Sequence, residues 1–188
     1  GATTSLEGHE AVGRLGIGVC SFTVGVPPEE LAPRLALYRK GLAACEQPAG
    51  LVRNERAATF TMVHCADTNA QAFAQARESM VWYPNRASRA IAELAGWMGE
   101  GDMGSYAYAK DLRALADSGH PSFDYLCESG SAVVGDPDRC IEIAKRYERS
   151  GCDLLLCLLD PYKIPHAAVM RSIELIGKYV IPEFEPAS

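Results

Sequence analysis

The stretch that most constrains this chain is Leu154-Leu155-Leu156-Cys157-Leu158-Leu159, an uncharged apolar run closed by Asp153 and Asp160. It is far short of the ~20 residues a membrane helix needs. Its apolar residues are continuous rather than alternating, which is the pattern of a parallel strand covered on both faces. Two further segments share that character. Ile17–Val24 is rich in β-branched and apolar residues, and Ala58–Cys65 has similar content with two threonines.

Helical patterns lie between these strands. Leu31, Leu35, Tyr38, Leu42 and Cys45 make one stripe across Glu29–Cys45, with Pro33 near the first turn, where a missing amide is tolerated. Phe73, Ala76, Met80 and Tyr83 do the same from Thr68, a candidate cap, to Tyr83. Asp136-Pro137 reads as a cap followed by proline at the first helical position. Cys140, Ile143, Ala144 and Tyr147 form the stripe behind it, and Ser150-Gly151 closes that helix. A last helix over about 165–180 is expected to place Val169, Ile173, Ile176 and Val180 on one face. Strands alternating with helices imply βαβ units and a parallel sheet.

The segment 84–131 breaks this rhythm. Helical pieces at 87–98 and 108–116 flank Gly99-Glu100-Gly101-Asp102-Met103-Gly104, and aromatics (Trp82, Tyr83, Trp97, Tyr106, Tyr108, Phe123, Tyr125) crowd in and before it. It reads as a helical insertion with a small core of its own, or as a lid whose rim faces a ligand. The glycine-rich piece has no Lys-Ser/Thr and follows no strand, so it is not a nucleotide loop.

Composition narrows the partners. With 188 residues, 48% of them hydrophobic, the chain is long enough for one domain, 1–188, with a buried core. The formal charge is −6 and only Arg86 and Arg89 approach a cationic cluster, so nucleic acid is not an expected partner. Gly1–Ser5 shows neither the basic start nor the apolar core of a signal peptide, and the expected location is the cytosol. The seven cysteines are odd in number and none is spaced CxxC, which argues against a disulfide framework and against a zinc site. Cys20, Cys140 and Cys157 sit among apolar neighbours and read as buried thiols.

Three strands cannot close a barrel, and an open three-stranded sheet leaves two edges unpaired. The order of motifs addresses this. Ala2-Thr3-Thr4-Ser5-Leu6-Glu7 leads through Gly13-Arg14-Leu15-Gly16-Ile17-Gly18 into the first long strand. Val133-Val134-Gly135-Asp136-Pro137-Asp138 leads through Ile141–Gly151 to Asp153-Leu154-Leu155-Leu156, and the chain continues to Ser172–Phe184. In order and spacing these stretches resemble the bacterial-luciferase-like monooxygenase family.

The resemblance implies an α/β fold that is part of a (β/α)8 TIM barrel, from the end of strand five through strand eight, with the helical insertion inside it. It implies a flavin-dependent monooxygenase in which reduced FMN and dioxygen oxidise a small organic substrate, a flavin reductase supplying the electrons. Alternatives within the resemblance are an F420-dependent oxidoreductase and a non-catalytic half-barrel that binds flavin or assembles with another chain. Free edges imply a homo-oligomer or a complementing N-terminal half. Carried over by position, Thr4 and Ser5 would meet the flavin phosphate and Phe22 would lie against the isoalloxazine.

The residues alone leave other readings open. Thr3–Ser5 suit a helix cap, and Phe22 suits a core strand. His64, near the end of its strand, is either a catalytic group at a barrel mouth or a hydrogen-bonded rim residue. His9 reads as exposed, and His120 and His166 as loop residues. No catalytic residue and no metal ligand set is identified.

Overall fold

The computed structural model describes residues 1–22, 24–97 and 121–184. The elements in order are β1 (Ala2–Thr3), α1 (Leu6–Arg14), β2 (Val19–Phe22), α2 (Leu31–Ala43), β3 (Ala57–Cys65), α3 (Asn69–Trp97), α4 (Phe123–Ser129), β4 (Ala132–Gly135), α5 (Pro137–Arg149), β5 (Leu154–Leu158) and α6 (His166–Leu175). A 3-10 turn, Pro28–Glu30, precedes α2, and a π-turn, Ile176–Val180, follows α6.

All strand pairs are parallel. The long strand β3 organises the sheet. Its residues 58–60 pair with β2 and with β5, so those two strands lie on opposite edges. Met62 pairs with Ala132 of β4 and with Leu158 of β5. β4 therefore takes over the edge that β2 leaves at Phe22↔Phe60. The strands β1, β2, β3 and β5 follow one another side by side, and β4 prolongs the lane of β2. The four-residue β4 is too short to show a period in sequence, and its Val133-Val134 reads there only as a lead into α5.

Two cores cover the two faces. One joins Val19, Ala57, Val63 and Val133 to Leu35, Tyr38 and Leu42 of α2, to Ile143 and Tyr147 of α5, and to Leu175 of α6. The other joins Met62, Ala132 and Val134 to Ala72, Ala76 and Met80 of α3 and to Phe123 and Leu126 of α4. Helix α1 presses on α2 closely enough that a Cβ on Gly13 would lie 2.2 Å from the Tyr38 carbonyl oxygen. The buried Tyr38 hydroxyl in turn donates to the carbonyls of Ile17 and Asn54, which joins α2 to the approaches to β2 and β3.

Several sequence expectations change here. Helix α3 does not stop at Tyr83 but runs through Pro84. Ala72, Ala76, Met80, Pro84 and Ser88, four residues apart, are all buried, so one packed face continues across the proline. That packing outweighs the single backbone hydrogen bond a proline removes. The expected pieces at 98 and 108–116, and the glycine-rich stretch between them, lie outside the described residues. In α6 the buried positions are Ser172 and Leu175, while Ile173 faces outward. The π-turn then rotates the chain so that Val180 is buried again.

Strand β5 departs most. Leu154 is 53% and Leu156 39% exposed, Cys157 is exposed, and β5 pairs with β3 alone among the described residues. Leu155 packs on the first core, but the Leu154–Leu156 face is open. The continuous apolar run was expected to be covered on both faces; among the described residues it is an edge with one face exposed.

Candidate functional site

Parallel α/β folds place their sites at the carboxyl ends of the strands, where loops and helix starts converge. β1 ends at Thr3, and Ser5 opens α1 as its N-cap with extended backbone; its Oγ accepts from the Gly8 amide at 3.0 Å. The amides of Leu6 and Glu7, in the first turn, have no acceptor within the helix. A Cβ on Gly8 would lie 2.0 Å from the Thr3 hydroxyl oxygen, so the turn closes tightly only over glycine. The Thr4 hydroxyl forms no hydrogen bond with another described residue, and its carbonyl accepts from Arg34 Nε at 3.4 Å. Arg34, on α2, also donates to the Glu30 carbonyl at 2.5 Å. One turn of chain thus presents a hydroxyl, amides with no described acceptor, a helix N-terminus and a nearby guanidinium.

The ring of His9 lies beneath this turn. It is fully buried, a correction to its expected exposure, with Nδ1 2.6 Å from the Ser5 carbonyl oxygen and Nε2 2.7 Å from Ser21 Oγ. The buried surroundings hold its pKa below the ordinary imidazole value, with a smaller push in the same direction from Arg34; the Ser5 hydrogen bond acts the other way. Sequence periodicity missed His9 because α1 is short and mixed in polarity. A partner serine twelve residues further along the chain leaves no spacing signal.

Phe22 closes β2 in register with Phe60, and its side chain lies outside the described residues. His64 is buried near the end of β3, on the α3 side, where Nε2 meets Gln75 Oε1 at 2.9 Å and Nδ1 has no partner. Burial holds its pKa low as well. Its bond to Gln75 fits the hydrogen-bonded reading, and it makes no described bond to Thr4 or Ser5. His166 opens α6 and is exposed, while His120 lies outside the described residues.

Past the end of β5, the loop to α6 is fastened to α3. Tyr162 stacks on Trp82 with ring centroids 4.3 Å apart and 8° between planes, and the Ser79 hydroxyl donates to the Tyr162 carbonyl. Phe60 meets Tyr83 at 6.4 Å. Two aromatic pairs therefore join α3 to β3 and to the loop after β5, and Tyr162 is a member that sequence reasoning did not single out. An open groove of about 650 Å³ lies at the amino ends of β3 and β5, lined by Arg39, Val52–Arg56 and Asp153. Barrel chemistry sits at the opposite end, and this groove belongs to the packing of strand starts.

All seven cysteines are free thiols; Cys140 is buried as expected, Cys20 is half-buried, and Cys157 is exposed instead of buried. Among the described residues no group of His, Cys, Asp or Glu is arranged to hold a metal, and no helix is long and apolar enough to cross a membrane.

Comparison with known proteins agrees with this architecture. The sequence model of the luciferase-like monooxygenase family matches residues 1–154. The fold is shared with the monooxygenase RslO1 from Streptomyces bottropensis, at 20% identity and a TM-score of 0.65, over 98% of this chain and 47% of that one. It is shared with the oxygenating constituent of 3,6-diketocamphane monooxygenase from Pseudomonas putida, a complex with FMN, at 20% identity and a TM-score of 0.66, over 98% and 48%. A coenzyme F420 dependent tetrahydromethanopterin reductase from Methanopyrus kandleri matches at 16% identity and a TM-score of 0.59, over 98% and 50%. No curated protein matches the chain in sequence. This chain spans about half the length of these solved structures. It belongs to the luciferase-like monooxygenase family.

Proposed function

We propose that this chain supplies the carboxyl-terminal half of a flavin-dependent monooxygenase barrel, β1, β2, β3 and β5 standing as its fifth to eighth strands. The observation that carries the reading is the hydroxyl-bearing turn Thr3–Ser5, placed at the carboxyl end of β1 and opening α1 in a chain of this family. Four adjacent parallel strands would be half of an eight-stranded barrel, and the β5 edge, unpaired among the described residues, is where the other half would pair.

The residues present fit a flavin phosphate. Thr4 offers a hydroxyl without a described partner, the first amides of α1 are open, and the helix N-terminus favours negative charge. Arg34 adds a positive charge within reach of the Thr4 carbonyl. Ser5 is at the same time the cap of α1, so its cap and phosphate roles use one position. When bound, the reduced flavin supplies two electrons to dioxygen, one oxygen atom going to the substrate and the other leaving as water. The chain's own part is to hold the phosphate at Thr4–Ser5 and to keep water from the mouth with Phe60, Tyr83, Trp82 and Tyr162. By the family resemblance, Phe22, at the end of β2, would lie against the isoalloxazine.

A small organic substrate and a separate flavin reductase complete this reading, with the other half of the barrel covering Leu154 and Leu156. The second reading is an F420-dependent oxidoreductase, favoured by the shared fold of the tetrahydromethanopterin reductase. Titration with reduced FMN, oxidised FMN and F420, on protein whose mass is followed in native spectra, tests both. Tight FMN binding by a larger assembly supports the monooxygenase, and tight F420 binding the second reading. A self-associating chain that binds none supports a non-catalytic half-barrel.

A further inference from the structure

The Ser5 carbonyl oxygen can only accept, so the His9 Nδ1 at 2.6 Å carries the proton and donates to it. The neutral ring then takes the Ser21 hydroxyl proton at Nε2, 2.7 Å away. Ser21 is itself fixed: it is fully buried in β2, and its carbonyl accepts from Thr59 Oγ1 at 3.1 Å. The Ser5 carbonyl also takes the His9 backbone amide at 3.2 Å. A trans peptide unit is planar, with its C=O and N–H pointing opposite ways. Holding the Ser5 carbonyl along the helix therefore aims the Leu6 N–H the opposite way, out of the N-terminus of α1.

We propose that His9, braced by Ser21, is a positioning residue that makes this site select the phosphate of a flavin mononucleotide over a flavin without one. The inference rests on the reading of Thr4–Ser5 as the phosphate site. His9 touches no ligand in this account; it acts through the Ser5–Leu6 peptide. A bland packing role is the competing explanation, since a buried histidine bridging a helix and a strand also stabilises the fold. The two differ in which ligand is affected. Loss of a packing residue loosens every flavin equally, whereas loss of an aimed amide weakens only ligands that carry the phosphate.

The test is fluorescence titration with FMN and with riboflavin on the wild-type protein, His9→Phe, Ser21→Ala and the conservative His9→Asn. His9→Phe is expected to weaken FMN about five- to tenfold, the value of one hydrogen bond, with riboflavin unchanged. Ser21→Ala should act in the same direction and more weakly, and His9→Asn, which keeps a donor, should recover part of the gap. Should His9→Phe fail to fold, Ser21→Ala carries the comparison. Equal weakening of both ligands, or no weakening, overturns the role of His9 while leaving the phosphate site intact. A wild-type protein that does not prefer FMN to riboflavin overturns the phosphate reading and the inference with it.

Discussion

Asp153 and Ala57 hold each other through two hydrogen bonds, the Asp153 carboxylate accepting from the Ala57 amide and the Asp153 amide donating to the Ala57 carbonyl, both at 2.7 Å. The clamp sits at the start of β3 and β5, one residue before the Ala58↔Leu154 pair, and fixes the register of the two strands. Arg39 Nη2 closes it from α2 at 2.9 Å. Asp153→Ala leaves a part-buried amide without its acceptor and should cost about 1–3 kcal/mol. The midpoint of urea unfolding measures this, and an unchanged midpoint would show that the pairing of β5 does not depend on the clamp.

Gly13 and Gly41 let α1 and α2 touch backbone to backbone: a Cβ on Gly41 would lie 2.2 Å from the Glu10 carbonyl oxygen. Alanine normally stabilises a helix interior by up to about 1 kcal/mol relative to glycine. Here the atoms in its way are backbone, which cannot rotate aside. Gly13→Ala is therefore expected to destabilise the fold by about 1–3 kcal/mol, as overpacked cores do. A thermal melt at or above the wild-type temperature would mean that the helices separate at little cost.

Stability should fall as pH drops below about 6.5, the ordinary imidazole value. Burial holds both His9 and His64 below that value in the folded state. In the window between the folded and unfolded pKa values the unfolded chain binds more protons, so stability rises with pH and is lost as pH falls through the folded values. The arginine-paired carboxylates Glu10, Glu29 and Asp67, whose pKa values are lowered, act in a separate and more acidic window. Because His64 Nδ1 has no partner, His64→Leu should cost little at pH 8 and flatten the decline between pH 7 and 5. Melting temperatures across that range check it; parallel curves for variant and wild type would contradict it.

Leu156 and Ile173 face outward, 39% and 44% exposed. In the isolated chain, lysine at both positions should change stability by no more than about 0.5 kcal/mol, the usual range for surface changes, and should raise solubility. In the completed barrel the same pair should prevent assembly. Sedimentation of both species distinguishes a covered from an uncovered face, and assembly that tolerates the two lysines would place the other half elsewhere.

Local chemistry was legible in the sequence, and long-range placement was not. Thr68 and Asp136 cap α3 and α5 as their residue types imply, their side chains accepting from Gln71 and Arg139 amides. The apolar runs of β3 and β5 are strands. Missed features depend on what lies across space. Four residues of β4 carry no period, and Pro84 reads as a stop until the buried faces on either side of it are seen to be one. His9 looks like a surface residue until Ser21 arrives beneath it from β2. Thr4 and Ser5 lie between the end of β1 and the start of α1, with Ser5 as its cap. Arg34 reaches the Thr4 carbonyl from α2, and Tyr162 reaches Trp82 from the loop after β5, by approaches that no local pattern encodes.

A flavin phosphate at the start of α1 is tested most directly by Ser5→Asp. Aspartate is as good an N-cap as serine and favours the helix dipole, so the fold should be kept. Its charge, however, repels a phosphate at the same turn. The measurement is an FMN titration beside a thermal melt: a melting temperature at or above wild type, with FMN affinity reduced at least about tenfold (~1.4 kcal/mol), is the predicted result. FMN bound by Ser5→Asp as tightly as by the wild-type protein would contradict the account.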